Sequence, residues 1–185
     1  DPETLEICAE NGLNTGYFLI YPREDAAPRY QKFLEDWQKV GWDHKPNIAY
    51  CTLVYVDETD EKAIDKALKF AARAYEGFLP PALPGESFED RVARHSEKFN
   101  QRGEDGAAVI MANLFDPDYL MDNDLVFIGS AETVTAKLRK HSKSGVFNTF
   151  MGEFNFHELA EEDVMRSIKL FGKEVMPELR DFQPF

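Results

Sequence analysis

The first four residues, Asp1-Pro2-Glu3-Thr4, combine types that open a helix with types that meet an anion. Asp caps a helix, Pro suits its first position and Glu favours its first turn. The leading N–H groups of a helix lack intrahelical partners and carry about half a positive charge, so this head suits a phosphate. The carboxylates of Asp1 and Glu3 oppose a dianion, so such a contact runs through backbone N–H groups rather than carboxylates. The plainer alternative is that Asp1 only caps the helix. Elsewhere, His44, His95 and His141 fall on turns or polar helix faces, and His157, followed by Glu158, reads as a general base or a loop residue. There is no H-E-x-x-H or C-x-x-C, so no zinc site is expected. The acidic run Asp116, Asp118, Asp122 and Asp124 lacks the Gly and terminal Glu of a calcium loop and reads as a solvated face. Cys8 and Cys51 sit among apolar neighbours, as small buried hydrophobes do.

The elements that position these groups follow from periodicity. Residues 2–11 read as a helix stopped by Asn11-Gly12. Tyr17 to Tyr21 is a short apolar run before Pro22 and reads as a buried strand. Tyr30, Phe33, Leu34 and Trp37 define a helix over 26–40, ended by Gly41. Ile48 to Val56 is the strongest strand, rich in β-branched and aromatic residues. A helix over 59–78 follows, with Ala63, Ala67, Phe70, Ala74 and Phe78 on one stripe. Residues 79–125 carry Pro80-Pro81, Pro84-Gly85, Gly103, Gly106 and Asp116-Pro117, and read as an irregular, mobile insertion holding short helices at 87–100 and 107–114. Ser130 caps a helix running through Lys143, residues 146–156 form a third strand, and 160–180 a last helix with Val164, Ile168, Phe171 and Val175 inward. Strands alternating with helices predict a parallel sheet with helical crossovers, in one domain over 1–185.

Composition bounds the function. The chain has 185 residues, 43% of them hydrophobic, enough for a core and too many for disorder. A net charge of −13 argues against nucleic acid and anionic membranes as partners, while a local ring of N–H groups still accommodates a small anionic cofactor. No apolar run approaches the ~18 residues of a membrane helix. With no disulfide framework and no secretory segment, a reducing cytoplasm is the expected compartment. Neither G-x-G-x-x-G nor G-x-x-x-x-G-K-[ST] occurs, which weakens dinucleotide and P-loop readings.

One resemblance emerges from the order of several short motifs. Val126-Phe-Ile-Gly-Ser-Ala-Glu-Thr-Val134, the helix after it, Ser144-Gly145-Val146, and Ser167-Ile-Lys-Leu-Phe171 through Glu174-Val-Met-Pro-Glu-Leu-Arg180 resemble the end of a luciferase-like flavin monooxygenase. Asp1 to Glu6 with Ala9-Glu-Asn-Gly12 resembles the helix after that family's fifth strand. Ala131 replaces a Pro common in the family, a harmless change at a helix start. The resemblance implies an α/β fold, namely the C-terminal part of a (β/α)8 TIM barrel. It further implies five preceding strand–helix units, whose pocket residues have no counterpart in this sequence.

The same resemblance implies an enzyme that takes reduced FMN from a separate flavin reductase and uses O2 to oxygenate a small organic substrate. It places the flavin phosphate at Asp1, Pro2, Glu3 and Thr4, and the insertion over the active site, where it excludes water. A barrel gathers its site at the C-terminal strand ends. The candidates there are Tyr21 and Arg23 after the first strand and Glu153, Phe154 and His157 after the last. Arg23 reads as an anion partner, a partner of Glu24 or a solvated residue; Glu153 as a group orienting substrate or flavin, or as a cap. Tyr17, Phe18, Phe154 and Phe156 read equally as core or pocket. A homo-oligomer, or pairing with the missing N-terminal part, is expected, and the piece alone is expected to be inactive. A deazaflavin-dependent oxidoreductase on the same barrel, a non-catalytic flavin binder and an assembly subunit are the alternatives.

Overall fold

The structure is a computed structural model and describes residues 2–185. Its elements are α1 (Pro2–Glu10), β1 (Thr15–Phe18), α2 (Arg23–Val40), β2 (Ile48–Asp57), α3 (Asp60–Ala71), α4 (Phe88–Asn100), α5 (Asp105–Asn113), α6 (Pro117–Asp122), β3 (Phe127–Ser130), α7 (Ala131–Ser144), β4 (Thr149–Glu153), α8 (Glu161–Leu170) and α9 (Met176–Leu179). Four strands, not three, form one parallel sheet among the described residues. Among these residues no helix is long and apolar enough to cross a membrane.

The ten-residue β2 is the spine. Its first half pairs with β1 on one edge, from Thr15↔Ile48 to Phe18↔Cys51, and with β4 on the other, from Ala49↔Thr149 to Leu53↔Glu153. Its second half pairs with β3, Val54↔Phe127 to Asp57↔Ser130. On the β4 edge, beyond the end of β4, the Val56 N–H is taken by Ser167 Oγ of α8 at 2.8 Å. β3 therefore lies on the β1 edge, in line above β1. The steps β1→β2 and β2→β3 run in opposite directions across the sheet, so crossovers of one hand put α2 and α3 on opposite faces. Contacts agree: Tyr30 of α2 stacks on Tyr17, whereas Tyr75, just past α3, meets Phe18, which points to the other face.

On the α2 side, Tyr50, Phe127, Phe147 and Phe150 form a ring-stacked core beneath α7. Tyr17 Oη donates to Gly145 O at the end of α7, an approach with no room for a Cβ on Gly145. Arg23 is buried in this layer rather than solvated. Its Nη1 donates to Tyr50 Oη at 2.9 Å and Asp124 O at 3.0 Å, and its Nη2 to Asn123 O at 2.9 Å.

Residues 79–125 are more regular than their Pro and Gly content predicts. They hold α4, α5 and α6, the last capped by Asp116, which accepts from Asp118 N and Tyr119 N. Both ends are pinned. Arg91 donates to Glu76 O, and Arg94 to Glu86 and Pro81 O. The Arg94 hydrogen bonds hold the Glu86 carboxyl at about 2. At the far end, Asp124 accepts from Lys137, Lys140 and His141, each within 3.0 Å. Burial alone would raise the Asp124 carboxyl, yet these bonds hold it well below its usual range.

The helix expected over 59–78 stops at Ala71 and gives way to a 3-10 turn at Glu76–Phe78. The last helix is broken by a π-helical segment, Phe171–Val175, where Met176 N bonds Phe171 O. Pro177 explains it: without an N–H and with a ring in the way, it cannot continue the α ladder. Ahead of the bulge Val164 and Ser167 are buried, as is Val175 at its end, while Ile168, expected inward, is 40% exposed.

Candidate functional site

Two faces of the sheet are treated differently. The lower part of the face opposite α2 is left half-open. Gly16, Ala49, Cys51 and Thr149 form its floor, and Phe18, Met151, Glu153 and Tyr75 stand around it. At Gly16 the neighbour demands a glycine: a Cβ there would sit 2.7 Å from Ala49 O and 2.9 Å from Ala49 Cβ. Met151, on the edge strand β4, is 56% exposed, a large apolar side chain on a face left to be covered. α3 and the chain after it close the upper end of this face.

At the C-terminal ends of the strands three groups converge. Tyr75, 4% exposed, directs its hydroxyl to Glu153 Oε2 at 3.4 Å, and Cys51 lies close enough for each to influence the other. Burial, then the Glu153 charge, pushes the Tyr75 hydroxyl far above its usual value. Burial and Glu153 also raise the Cys51 thiol. Both therefore stay protonated at neutral pH. Glu153 is the one formally charged group of this floor and rim. An aromatic series Phe18–Tyr75–Phe78, with centroids 5.6 and 5.7 Å apart, leads outward from it.

The head of α1 belongs to the same end of the sheet. Leu5 shares a cavity of about 230 Å³ with Tyr21, Pro22 and Asp25 at the start of α2, whereas Ala9 O accepts from Trp42 Nε1 beyond its end. α1 thus runs parallel to α2 and antiparallel to the strands, with its first turn on the C-terminal side. Gly16 lines this cavity and the open floor alike. Glu3 and Thr4 are exposed on that first turn; Asp1 lies outside the described residues, as does the side chain of Pro2. The cavity is lined by Asp25, Glu104 and Asp105 against Arg29, so an anion bound there is held by N–H and hydroxyl donors rather than by net charge.

The remaining candidates are dispersed. Tyr21, half-buried, lines the α1 cavity. Arg23 commits three hydrogen bonds to the protein on the opposite face. Phe154 packs edge-on against Phe171 and lines a hollow between β4, α7 and the last helix, away from Glu153. His157, with φ of 50°, stacks on Phe70 of α3 and lies 4.0 Å from Glu158. Of the strand-end candidates, Glu153 is the one facing the open floor. Tyr75 and Cys51 escaped the sequence reading, Tyr75 because it fell inside a helix read seven residues too long, Cys51 because a half-open sheet face looks identical in sequence to a closed one.

Comparison with known proteins matches this geometry to one family. Residues 1–148 match the model of the luciferase-like monooxygenases. No curated protein matches the sequence. Among solved structures, the monooxygenase RslO1 from Streptomyces bottropensis superposes with TM-score 0.61 at 16% identity, over 95% of this chain and 45% of its own. The oxygenating constituent of 3,6-diketocamphane monooxygenase from Pseudomonas putida, a Baeyer-Villiger enzyme solved with FMN, gives 0.63 at 18% identity, over 94% and 45%. Apo-MsnO8 gives 0.55 at 16%, over 94% and 48%. The chain spans less than half the length of the structures it matches. Its parallel sheet and flanking helices are part of a TIM barrel, and the match over four-fifths of its length makes it a member of the luciferase-like monooxygenase family.

Proposed function

We propose that this chain supplies the flavin-phosphate end and one wall of the pocket of a flavin-dependent monooxygenase that oxygenates a small organic substrate with reduced FMN and O2. The observation that carries this reading is the junction at Gly16. Gly16 lines the cavity that runs under α1 to Tyr21 and Pro22 past the end of β1, and the same residue belongs to the floor of small side chains low on the sheet. A phosphate fits the head, through the backbone N–H groups of the first turn and the Thr4 hydroxyl, and a flat ring system fits a floor on which even a Cβ at Gly16 has no place. When bound, reduced flavin supplies the electrons that activate dioxygen.

The chain's own residues bind, orient and exclude water. Glu153 accepts a hydrogen bond from the substrate beside the ring, Tyr75 keeps its proton, and Phe18, Tyr75 and Phe78 make the wall apolar. α4 to α6, pinned at both ends, serve as the cover. A separate flavin reductase delivers the cofactor. The outer edge of β4, unpaired among the described residues, takes the rest of the barrel, with homo-oligomers built on the outer helices.

The test uses the full polypeptide. FMN is titrated by fluorescence quenching, then reduced enzyme is mixed with O2 and a panel of ketones, thiols and aldehydes. Expected are FMN binding, substrate-dependent oxygen incorporation, and about tenfold weaker FMN binding for Thr4→Ala, the worth of one phosphate hydrogen bond. Binding and turnover with a deazaflavin but not FMN would establish the hydride-transfer alternative, and binding of neither flavin would refute the reading.

A further inference from the structure

The charge pattern of the open face bears on the kind of substrate it accepts. We propose that the substrate presents an uncharged or cationic hydrogen-bond donor, a hydroxyl or an ammonium, to Glu153, and that carboxylate and sulfonate substrates are excluded from this pocket. The inference rests on the proposed monooxygenase function and deepens it.

Glu153 is exposed at the end of β4 and takes one protein hydrogen bond, the long one from Tyr75. Among the described residues no lysine, arginine or histidine forms an ion pair with it, although sixteen ion pairs occur elsewhere. The cations of α3 and the turn after it that pair are engaged elsewhere: Lys66 holds Asp57 and Asp163, Arg73 holds Glu76, and Lys69 lies over the Phe70 ring. The other polar side chains of the rim and floor are neutral: the Tyr75 hydroxyl, the Cys51 thiol and the Thr149 hydroxyl, the last donating to Asn47 and Asn148. An anion brought over this floor meets a carboxylate with no compensating cation and loses its own hydration as well. A donor meets an acceptor whose second oxygen is unoccupied by protein. The apolar wall and Met151 suit a hydrocarbon body behind that donor.

The test compares three probes of one six-carbon skeleton, a primary amine, an alcohol and a carboxylate, by calorimetric binding to the full polypeptide with and without FMN. The amine and the alcohol are expected to bind at least about tenfold tighter than the carboxylate, the scale of one charge-assisted hydrogen bond. Glu153→Gln, an exposed change that leaves the fold intact by thermal melt, is expected to shrink the amine-to-carboxylate ratio about tenfold while FMN affinity holds. Carboxylate binding equal to the others, a ratio unmoved in Glu153→Gln, or no binding of any probe would overturn the proposal. FMN titration in the same samples separates the two claims. Probe selectivity without flavin binding strikes the monooxygenase reading alone, and flavin binding without selectivity strikes this one alone.

Discussion

Replacing Arg23 with Met tests the account of how the insertion is fastened to the sheet. Met keeps the apolar stem and removes the guanidinium. Three groups then lose their partner: the buried Tyr50 hydroxyl and the part-buried carbonyls of Asn123 and Asp124. Each orphaned group costs about 1–3 kcal/mol, or roughly 3–9 kcal/mol together. Part is returned, because the guanidinium no longer has to be desolvated and its Nε is buried without a partner. A net loss of about 3 kcal/mol follows. With a urea slope of about 2–3 kcal/mol/M, the unfolding midpoint falls by roughly 1–1.5 M. Arg29→Met, on the exposed side of the same helix, should stay within about 0.5 kcal/mol. Native-state hydrogen exchange gives a second reading: amides of 117–125 should exchange faster in Arg23→Met, because that segment has lost its anchor. A loss below about 1 kcal/mol together with unchanged exchange over 117–125 would refute the assignment of Arg23 as a clamp and reopen its role as an anion partner.

Two further outcomes follow from buried polar groups. Ser167→Ala leaves the Val56 N–H unpaired at a fully buried position and should cost about 1–3 kcal/mol in chemical denaturation; a neutral result would mean the edge of β2 finds another acceptor. Acid should destabilise the fold in two stages. Burial lowers His141 and His95 below their usual 6.5, so the unfolded chain binds those protons first and stability falls as pH drops through about 6.5. Asp124 and Glu86 are held below their unfolded values, so their contribution is present above about 4.5 and lost as pH falls further. Urea midpoints measured from pH 7 to 3 check this, and a rise in stability between pH 7 and 5 would contradict it.

What the sequence reveals and conceals divides along a physical line. Local pattern suffices where an element is long and its burial is one-sided. The Ile48–Asp57 strand announces itself through β-branched and aromatic residues, and the Gly41 stop of α2 through its φ of 85°, a conformation that favours glycine. Pattern misleads where packing recruits apolar residues beyond an element. The run Tyr17–Tyr21 predicts a strand two residues later than β1, because Leu19 is buried in the turn after the strand while Thr15 and Gly16, poor in apolar surface, make the pairing. β3 is invisible for the complementary reason. Four residues carry too little periodicity, and their pairing depends on β2 outrunning both its neighbours. The site is harder still. Tyr75 and Glu153 are 78 residues apart and meet only because β4 pairs Glu153 with Leu53 and α3 ends at Ala71, letting the chain turn back over the floor. Neither fact is local, so no spacing rule could have joined them. Glu153 was nonetheless a candidate, because a parallel sheet concentrates chemistry at its strand ends whatever the partners, and that rule requires only the strand direction.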